Sequence, residues 1–326
     1  MRRGFFGYAV AAALVLALAS GCSPTRSRIP DRPVEVPGAF SGASGDRAQR
    51  IVGRWWERFG DPVLDSLMEE ALAANLGVAG AWERVGQARA LVGAERSALF
   101  PRLDVTASRG RIKQRAISGV GPSITTDTYR LSAAAGYEID LWRKLGSRTR
   151  AAGLEARATG EDLKTLYISL SAEVADLYFL IVEQRAQLEL TDRTIEAFED
   201  TLARVERRYR AGLVPALDVY QSRQNLAGAR AQRPIFAANL EVAEHALSVL
   251  MGRAPGKVPP VAPTGLADPP DFAAGLPSDL LTRRPDLRAA FLRLAAADKR
   301  VAAAVADRFP SFNLTGELGG ASTKLT

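Results

Sequence analysis

The sequence predicts a mainly α-helical chain with a smaller β part, in which long antiparallel helical hairpins are joined to β-hairpins of amphipathic strands. Three observations carry that expectation. From about Gly146 to Arg210 there is no proline and only scattered glycine, so nothing interrupts a very long helix. Two segments that follow Phe-Pro pairs alternate apolar and polar residues with period two. The chain also repeats itself at a constant offset of 209 residues, from Phe100-Pro101 to Phe309-Pro310.

The N-terminus reads as an address. Met1-Arg2-Arg3 is a positive start, Phe5 to Ala19 an apolar run short for a bilayer span, and Ala19, Ser20 and Gly21 lead into Cys22. That is the layout of a signal peptide over residues 1–21, to be left out of fold reasoning. Cys22, the only cysteine, follows Ser20-Gly21 as in a bacterial lipobox, which implies cleavage before it and lipidation of its sulfur. The aliphatic residue usual three places before that cysteine is Ala19 here, with Leu18 one place further back. An ordinary secretory signal with an incidental cysteine is the alternative, and either reading takes the chain out of the cytoplasm. Residues 22–54 are then a lipidated extended segment.

The repeat divides the remainder into a first unit over 55–252, a linker over 253–275 and the start of a second unit over 276–326. Asn75-Leu76-Gly77-Val78 aligns with Arg284-Pro285-Asp286-Leu287, Arg84 with Arg293 and Val92 with Val301. In the first unit Asp61-Pro62 opens a segment of helix formers to about Leu99, with Leu64, Leu67, Ala71 and Leu72 at helical spacing. Pro101 cannot continue it, because it lacks an N–H and clashes with the preceding turn. Leu103, Val105 and Ala107 then alternate with Asp104, Thr106 and Ser108. After a loop from about Gln114 to Asp127, Tyr129, Leu131, Ala133, Ala135 and Tyr137 share one face of a strand, while Arg130, Ser132, Ala134 and Gly136 share the other. Phe312 and Leu314 begin the same pattern in the second unit, which stops at Thr326. One apolar and one small or polar face suits a transmembrane barrel strand. A soluble hairpin covering a core has the same alternation; the exported context and the flanking helices favour the membrane.

Within Gly146 to Arg210, Leu163, Leu166, Leu170, Val174, Leu177 and Ile181 form one helical stripe, continued by Leu188, Ile195, Leu202, Val205 and Tyr209. Such a helix extends about 95 Å at the usual rise per residue, so it has to pack lengthwise on other helices. Gly212 suits the left-handed turn that ends it and Pro215 the first turn of the next. A second helix from Ala216 to Met251 is expected to turn Leu217, Val219, Leu226, Leu240, Leu247 and Leu250 back on the first.

Composition excludes several classes. The net charge of +7 is spread along the chain and interleaved with acids, so there is no nucleic-acid footprint. One histidine, His245, cannot build a histidine metal site, and it reads as a packed or half-exposed helix residue. No cofactor is implied. With the thiol spent on processing and the histidine without an evident partner group, no acid, base or nucleophile constellation points to an enzyme.

Trp56 to Asp61-Pro62, Gln87-Ala88-Arg89-Ala90, Phe100-Pro101, Tyr137-Glu138-Ile139-Asp140-Leu141-Trp142, Arg208-Tyr209-Arg210-Ala211-Gly212-Leu213 and Arg284-Pro285-Asp286-Leu287 stand in the order found in one family. The sequence from about Trp55 to Leu318 resembles the outer-membrane factors, the TolC-like exit ducts of tripartite efflux systems, and in particular their lipidated NodT-type branch. Where that family commonly has glycine after Trp142, this chain has Arg143. The resemblance implies long helical hairpins forming an α-barrel and β-hairpins contributing to a trimeric outer-membrane β-barrel. It implies a homotrimer, lipid-anchored in the outer membrane and extending into the periplasm, that serves an RND-type inner-membrane transporter through a periplasmic adaptor protein. The expected role is a passive exit duct for drugs or other small molecules. A periplasmic helical lipoprotein and a protein-secretion duct are the alternatives.

By analogy with the family tip, Arg210, Gly212, Leu213, Pro215 and Asp218 are candidates for adaptor docking; a turn that only reverses the chain has the same punctuation. Arg109, Arg111, Lys113 and Arg115 share the parity of the lipid-facing residues beyond the apolar stretch, and are candidates for contact with lipopolysaccharide phosphates. The family has four strands and two helical hairpins per subunit, against about two and a half strands and one complete hairpin here. The sequence therefore reads as C-terminally truncated and unable to close the usual trimeric barrel.

Overall fold

The computed structural model describes residues 53–114, 123–256, 270 and 277–324. Cys22 and the signal segment, Arg115, and most of the linker lie outside the described residues. In chain order the elements are a 3-10 turn at Trp55–Phe59, α1 (Pro62–Ala74), α2 (Leu76–Ser97), β1 (Arg102–Gln114), β2 (Ile124–Ile139), α3 (Lys144–Arg210), α4 (Ala216–Leu250), α5 (Pro277–Arg283), α6 (Pro285–Ala306) and β3 (Phe312–Ser322). The sequence repeat is visible in the backbone, since α2 and α6 are both 22 residues long and begin 209 positions apart. Two compact units each draw on both repeats: one holds Val85–Gly160 and Leu287–Thr326, the other Glu161–Asp286 with the residues up to Arg84.

The second unit is helical. The single helix expected from Pro62 to Leu99 is two helices, broken at Asn75, whose backbone is extended at φ −65°, ψ 123°. Its side chain holds the break: Oδ1 accepts from the Val78 N–H at 3.1 Å, and Nδ2 donates to the Leu250 carbonyl at 2.9 Å. Gly77 lies under this side chain, where an added Cβ would sit 2.9 Å from Asn75 Oδ1. Asp61 caps α1 by accepting from the N–H groups of Val63 and Leu64, with Pro62 at the first helical position, where no N–H is needed.

The core of this unit joins three helices. Leu64, Leu67, Met68 and Ala71 of α1 pack with Leu170, Val174, Tyr178 and Ile181 of α3 and with Ala243 and Leu247 of α4. The predicted leucine stripe of α3 is therefore the buried face. α3 is also the one helix among the described residues long and apolar enough to cross a bilayer by length and composition. Its apolar positions Leu170, Val174, Tyr178 and Ile181 are instead wholly buried against protein. At 67 residues it runs about 100 Å.

α4 does not present its apolar residues as expected. Val219, Leu226 and Leu247 are buried, but Leu217 is 70% exposed. Pro234 stands inside α4 without ending it. The residues around it are exposed, so water can satisfy the carbonyl that loses its N–H partner. His245 is half-exposed, 4.0 Å from Glu241. What locks α4 to α3 is a ladder of ion pairs: Arg185–Glu244 at 2.6 Å, Asp192–Arg233 at 2.7 Å, Glu199–Arg230 at 2.5 Å and Glu206–Arg223 at 2.7 Å. The four α3 members recur every seven residues, the spacing of coiled-coil flanking charges. Exposed pairs contribute roughly 0–1 kcal/mol each, so they set register more than stability.

The other unit holds a three-stranded antiparallel sheet in the order β1-β2-β3. Both hairpin strands are longer than the alternation suggested: the β1·β2 ladder runs from Arg102↔Gly136 to Gln114↔Ile124, taking in residues read from sequence as loop. β3, expected only to begin, is an 11-residue strand paired with β2 from Ile139↔Phe312 to Tyr129↔Ser322.

The buried Tyr178 hydroxyl donates to the Asp61 carboxylate. Burial first, then Asp61, pushes the Tyr178 phenol above the usual tyrosine range. Tyr178→Phe should cost about 1.5–3 kcal/mol, the worth of a hydrogen bond to a charged acceptor, read as unfolding by circular dichroism in detergent. A raised native value means the folded state holds its proton longer than the unfolded chain. Its stability contribution is thus complete below pH about 10 and is lost as pH rises beyond it. The unsubstituted chain should lose stability above pH 10 more steeply than Tyr178→Phe.

Candidate functional site

Register fixes which side chains share a face of the sheet. Leu103, Val105 and Ala107 of β1 stand opposite Ala135, Ala133 and Leu131 of β2. Ala133, Tyr137 and Ile139 in turn stand opposite Leu318, Leu314 and Phe312 of β3. One face is therefore apolar across all three strands. The other carries Asp104, Ala134 and Glu317 in one row and Thr106, Ser132 and Gly319 in the next. Gly319 is required there by space, because a Cβ would lie 2.8 Å from the Leu131 carbonyl oxygen. The apolar face has no protein over it: Leu103 is 70% exposed, Leu131 62% and Leu318 82%. Bare apolar surface on this scale has to be covered by lipid or another protein surface.

At the end of the sheet farthest along β1 from its helix, the apolar face gives way to charge. Arg109 is opposite Tyr129, Arg111 opposite Asp127 and Lys113 opposite Thr125. The Arg109 guanidinium lies 5.4 Å from the centre of the Tyr129 ring. Arg109 and Arg111 approach the Asp127 carboxylate at 3.6 and 3.8 Å. Of the four predicted basic residues, three are thus on one face, and Arg115 lies outside the described residues.

Where strands meet helices, the sequence Asp140-Leu141-Trp142-Arg143 makes a compact junction. The Asp140 carboxylate accepts from the N–H groups of Leu145 and Gly146 at 3.0 and 2.7 Å, capping α3. Trp142 stacks on Phe309 at 4.8 Å and donates its indole N–H to the Pro310 carbonyl at 2.9 Å. The two repeats are thereby stapled together through the second Phe-Pro step. Lys144 bridges Glu138 at 2.5 Å and Asp307 at 3.7 Å, and Arg148 reaches Asp307 at 3.1 Å. Arg143 adopts φ 57°, the only positive φ at a non-glycine residue recorded among the described residues.

The hairpin tip lies in the helical unit. Gly212 has φ 72°. The Leu213 N–H reaches the Arg208 carbonyl and the Gly212 N–H the Tyr209 carbonyl, both at 2.9 Å, closing a left-handed helix end. Pro215, expected in the first turn of α4, instead precedes it as the capping residue, with α4 starting at Ala216. Asp218 stands in that first turn, favourable to the helix dipole. The Arg210 Nε donates to the Glu206 carbonyl at 3.3 Å. Leu213, Leu217 and Tyr220 are each about two-thirds exposed, and Tyr209 nearly half. The tip therefore carries an apolar patch, and Leu217 and Tyr220 belong to it although sequence reasoning assigned Leu217 to the helix interface. Among the described residues no group of three or more His, Cys, Asp or Glu side chains is placed to hold a metal.

The chain thus combines a sheet with one bare apolar face and helices that run as long antiparallel hairpins. Residues 67–253 and 276–326 match the family described as outer membrane efflux protein, and the chain belongs to that family. It is 35% identical over 271 residues to the solvent efflux pump outer membrane protein SrpC of Pseudomonas putida, covering 82% of this chain and 58% of that one. To the pyoverdine export outer membrane protein OpmQ of Pseudomonas aeruginosa it is 32% identical over 290 residues, covering 86% and 61%. The open state of the MtrE outer membrane channel of Neisseria gonorrhoeae superposes with a TM-score of 0.76 at 28% identity, over 92% of this chain and 68% of that one. The chain thus spans about six-tenths of the length of these curated relatives.

Arg143 supplies a local test. A non-glycine residue at φ 57° carries a left-handed penalty of about 1 kcal/mol. Arg143→Gly should therefore leave stability unchanged or raise it by up to about 1 kcal/mol in denaturant titrations. A loss of more than that would mean the Arg143 side chain contributes something its backbone does not.

Proposed function

We propose that this chain is a subunit of an outer-membrane exit duct that passes small molecules outward as the last stage of a tripartite, RND-type efflux pump. The observation that carries the reading is the three-stranded sheet with one face apolar and bare, set on long helical hairpins in a member of the outer membrane efflux protein family. The relatives are named for solvent efflux and for pyoverdine export, and a passive duct for small organic molecules is the corresponding role here. The start at Met1 to Cys22 supports export and a lipid anchor in the outer membrane, with the helices reaching into the periplasm.

Assembly follows from the sheet edges. β1 and β3 flank β2 and run in the same direction, and each has one unpaired edge among the described residues. Strand edges in lipid leave N–H and C=O groups unsatisfied, so they have to be paired into a closed ring. Copies of the chain forming a homotrimeric barrel meet that need, provided each contributes an even number of antiparallel strands. The apolar tip at Tyr209, Leu213, Leu217 and Tyr220, flanked by Arg210, Gly212, Pro215 and Asp218, is the seat for the periplasmic adaptor that links the duct to an inner-membrane transporter.

Expression in an efflux-deficient bacterium, followed by membrane fractionation, tests where the chain resides. Recovery with the outer membrane is the result expected, whereas recovery in the soluble periplasm would contradict the reading. For the tip, Leu213→Asp with Leu217→Asp should weaken cross-linking to the adaptor at least tenfold while leaving the yield in the outer membrane unchanged. Equal cross-linking by this double variant would remove the tip from the docking surface.

A further inference from the structure

The apolar face of the sheet and its basic end form one continuous surface, and we propose that it binds a phosphorylated lipid of the outer leaflet. The phosphate lies on Arg109, Arg111 and Lys324, with an acyl chain along Leu131 and Gly320. The proposal rests on the reading of the sheet as a lipid-facing wall and adds to it a lipid headgroup site.

The geometry comes from three strands at once. Ala107, Arg109, Tyr129, Leu131, Gly320, Ser322 and Lys324 line one open depression. Arg109 faces Tyr129 and Tyr129 faces Ser322 across the two ladders, so cation, ring and hydroxyl stand in one row. Two residues beyond Ser322, Lys324 returns to the same side. Asp127 draws Arg109 and Arg111 together from 3.6 and 3.8 Å, distances at which it orders both guanidiniums without taking their N–H donors. The Tyr129 ring lies beneath the Arg109 guanidinium. Arg109 and Arg111 share the Asp127 carboxylate, and Lys113 stands on the same face with Lys324 at the end of β3, so among the described residues the row keeps a net positive charge suited to phosphate.

Two features select a lipid over free phosphate. The cations are well exposed, where a dissolved anion gains little over its hydration, while a membrane supplies the headgroup at high local concentration. The cations also end directly on apolar surface: Leu131 is exposed, and an added Cβ at Gly320 would meet nothing within 4 Å, leaving a slot for a chain. Topology gives the leaflet. β1 leaves α2 at Arg102 and reaches the basic residues only in its second half, and β3 reaches Lys324 at its end farther from α6. If the helices are periplasmic, the basic row lies at the outer surface.

The test is native mass spectrometry of the full chain in detergent with bis-phosphorylated lipid A, the same lipid A dephosphorylated, and inorganic phosphate. The expected result is retention of the phosphorylated lipid alone. Arg109→Gln with Arg111→Gln should bind it about 30-fold more weakly, at roughly 1 kcal/mol per cation near a membrane surface. Gly320→Leu, whose Cβ would meet nothing within 4 Å, should weaken it with every cation in place. Equal binding of the dephosphorylated lipid, or unchanged binding by the arginine double variant, overturns the proposal. Leu318→Trp, quenched by brominated acyl chains, separates the two readings. Quenching with no effect of the arginine variants discards the phosphate site and keeps the lipid-facing wall. Quenching of the variant no greater than that of the unsubstituted chain overturns both.

Discussion

The constraint on which the rest depends is the pairing of period-two alternation with a register that holds it across three strands. A shift of β1 by one residue would move Leu103 and Val105 to the face of Ser132 and Glu317 and turn Arg102 and Asp104 onto the apolar face beside Leu131 and Leu318. Because the register gathers Leu103, Val105, Leu131, Leu314 and Leu318 on one side, while Ile112 and Ile124 stand on the other near the far end of the hairpin, the sheet has a face that water does not suit. Lipid provides the cover, and it also forbids unpaired strand edges, so closure with neighbouring strands follows from the same requirement.

The helices answer a different demand. A 67-residue helix cannot be folded away inside one compact core, so its buried positions are spread along it: Ala151 and Ala158 in its first third, Leu170 to Ile181 in its middle, and a last third paired with α4 through the ion pairs. Dense apolar packing around Tyr178 and Met68 fixes the middle, with the Asp61 carboxylate capping α1 and holding the Tyr178 hydroxyl. Farther along, the ion-pair ladder takes over from apolar contacts, which suits a hairpin with too little width to bury a continuous core. The junction at Trp142 then ties the end of the first repeat to the Phe-Pro step of the second. That explains why the Phe-Pro pair recurs: it ends a helix, starts a strand and offers an aromatic face with a carbonyl beside it.

Much of this was legible in the residues. The repeat offset, the leucine stripe of α3, the sheet alternation and the Gly212 turn all rest on local rules that packing does not override. Elsewhere tertiary context decided. Asn75 broke a helix-forming stretch because its side chain satisfies groups on two elements, one of them 175 residues away. Leu217 looked like an interface leucine but faces outward at the tip, where periodicity cannot say that the partner helix has ended. Arg143 accepted a glycine conformation because the Asp140 cap and the Trp142 stack surround it. The charge ladder was missed although the seven-residue spacing of Arg185, Asp192, Glu199 and Glu206 was present, since each acid alone reads as a solvated helix face.

The central claim is that one face of the sheet meets lipid and the other water. Single cysteines placed in turn at residues 128–136 of β2, in the full chain in outer-membrane vesicles, test it directly. Labelling by a membrane-impermeant maleimide is read against the unsubstituted chain, whose only cysteine is Cys22. The account predicts alternation: strong labelling at Thr128, Arg130, Ser132, Ala134 and Gly136, and protection at Tyr129, Leu131, Ala133 and Ala135. Uniform labelling along the strand, or protection with the opposite parity, would contradict it.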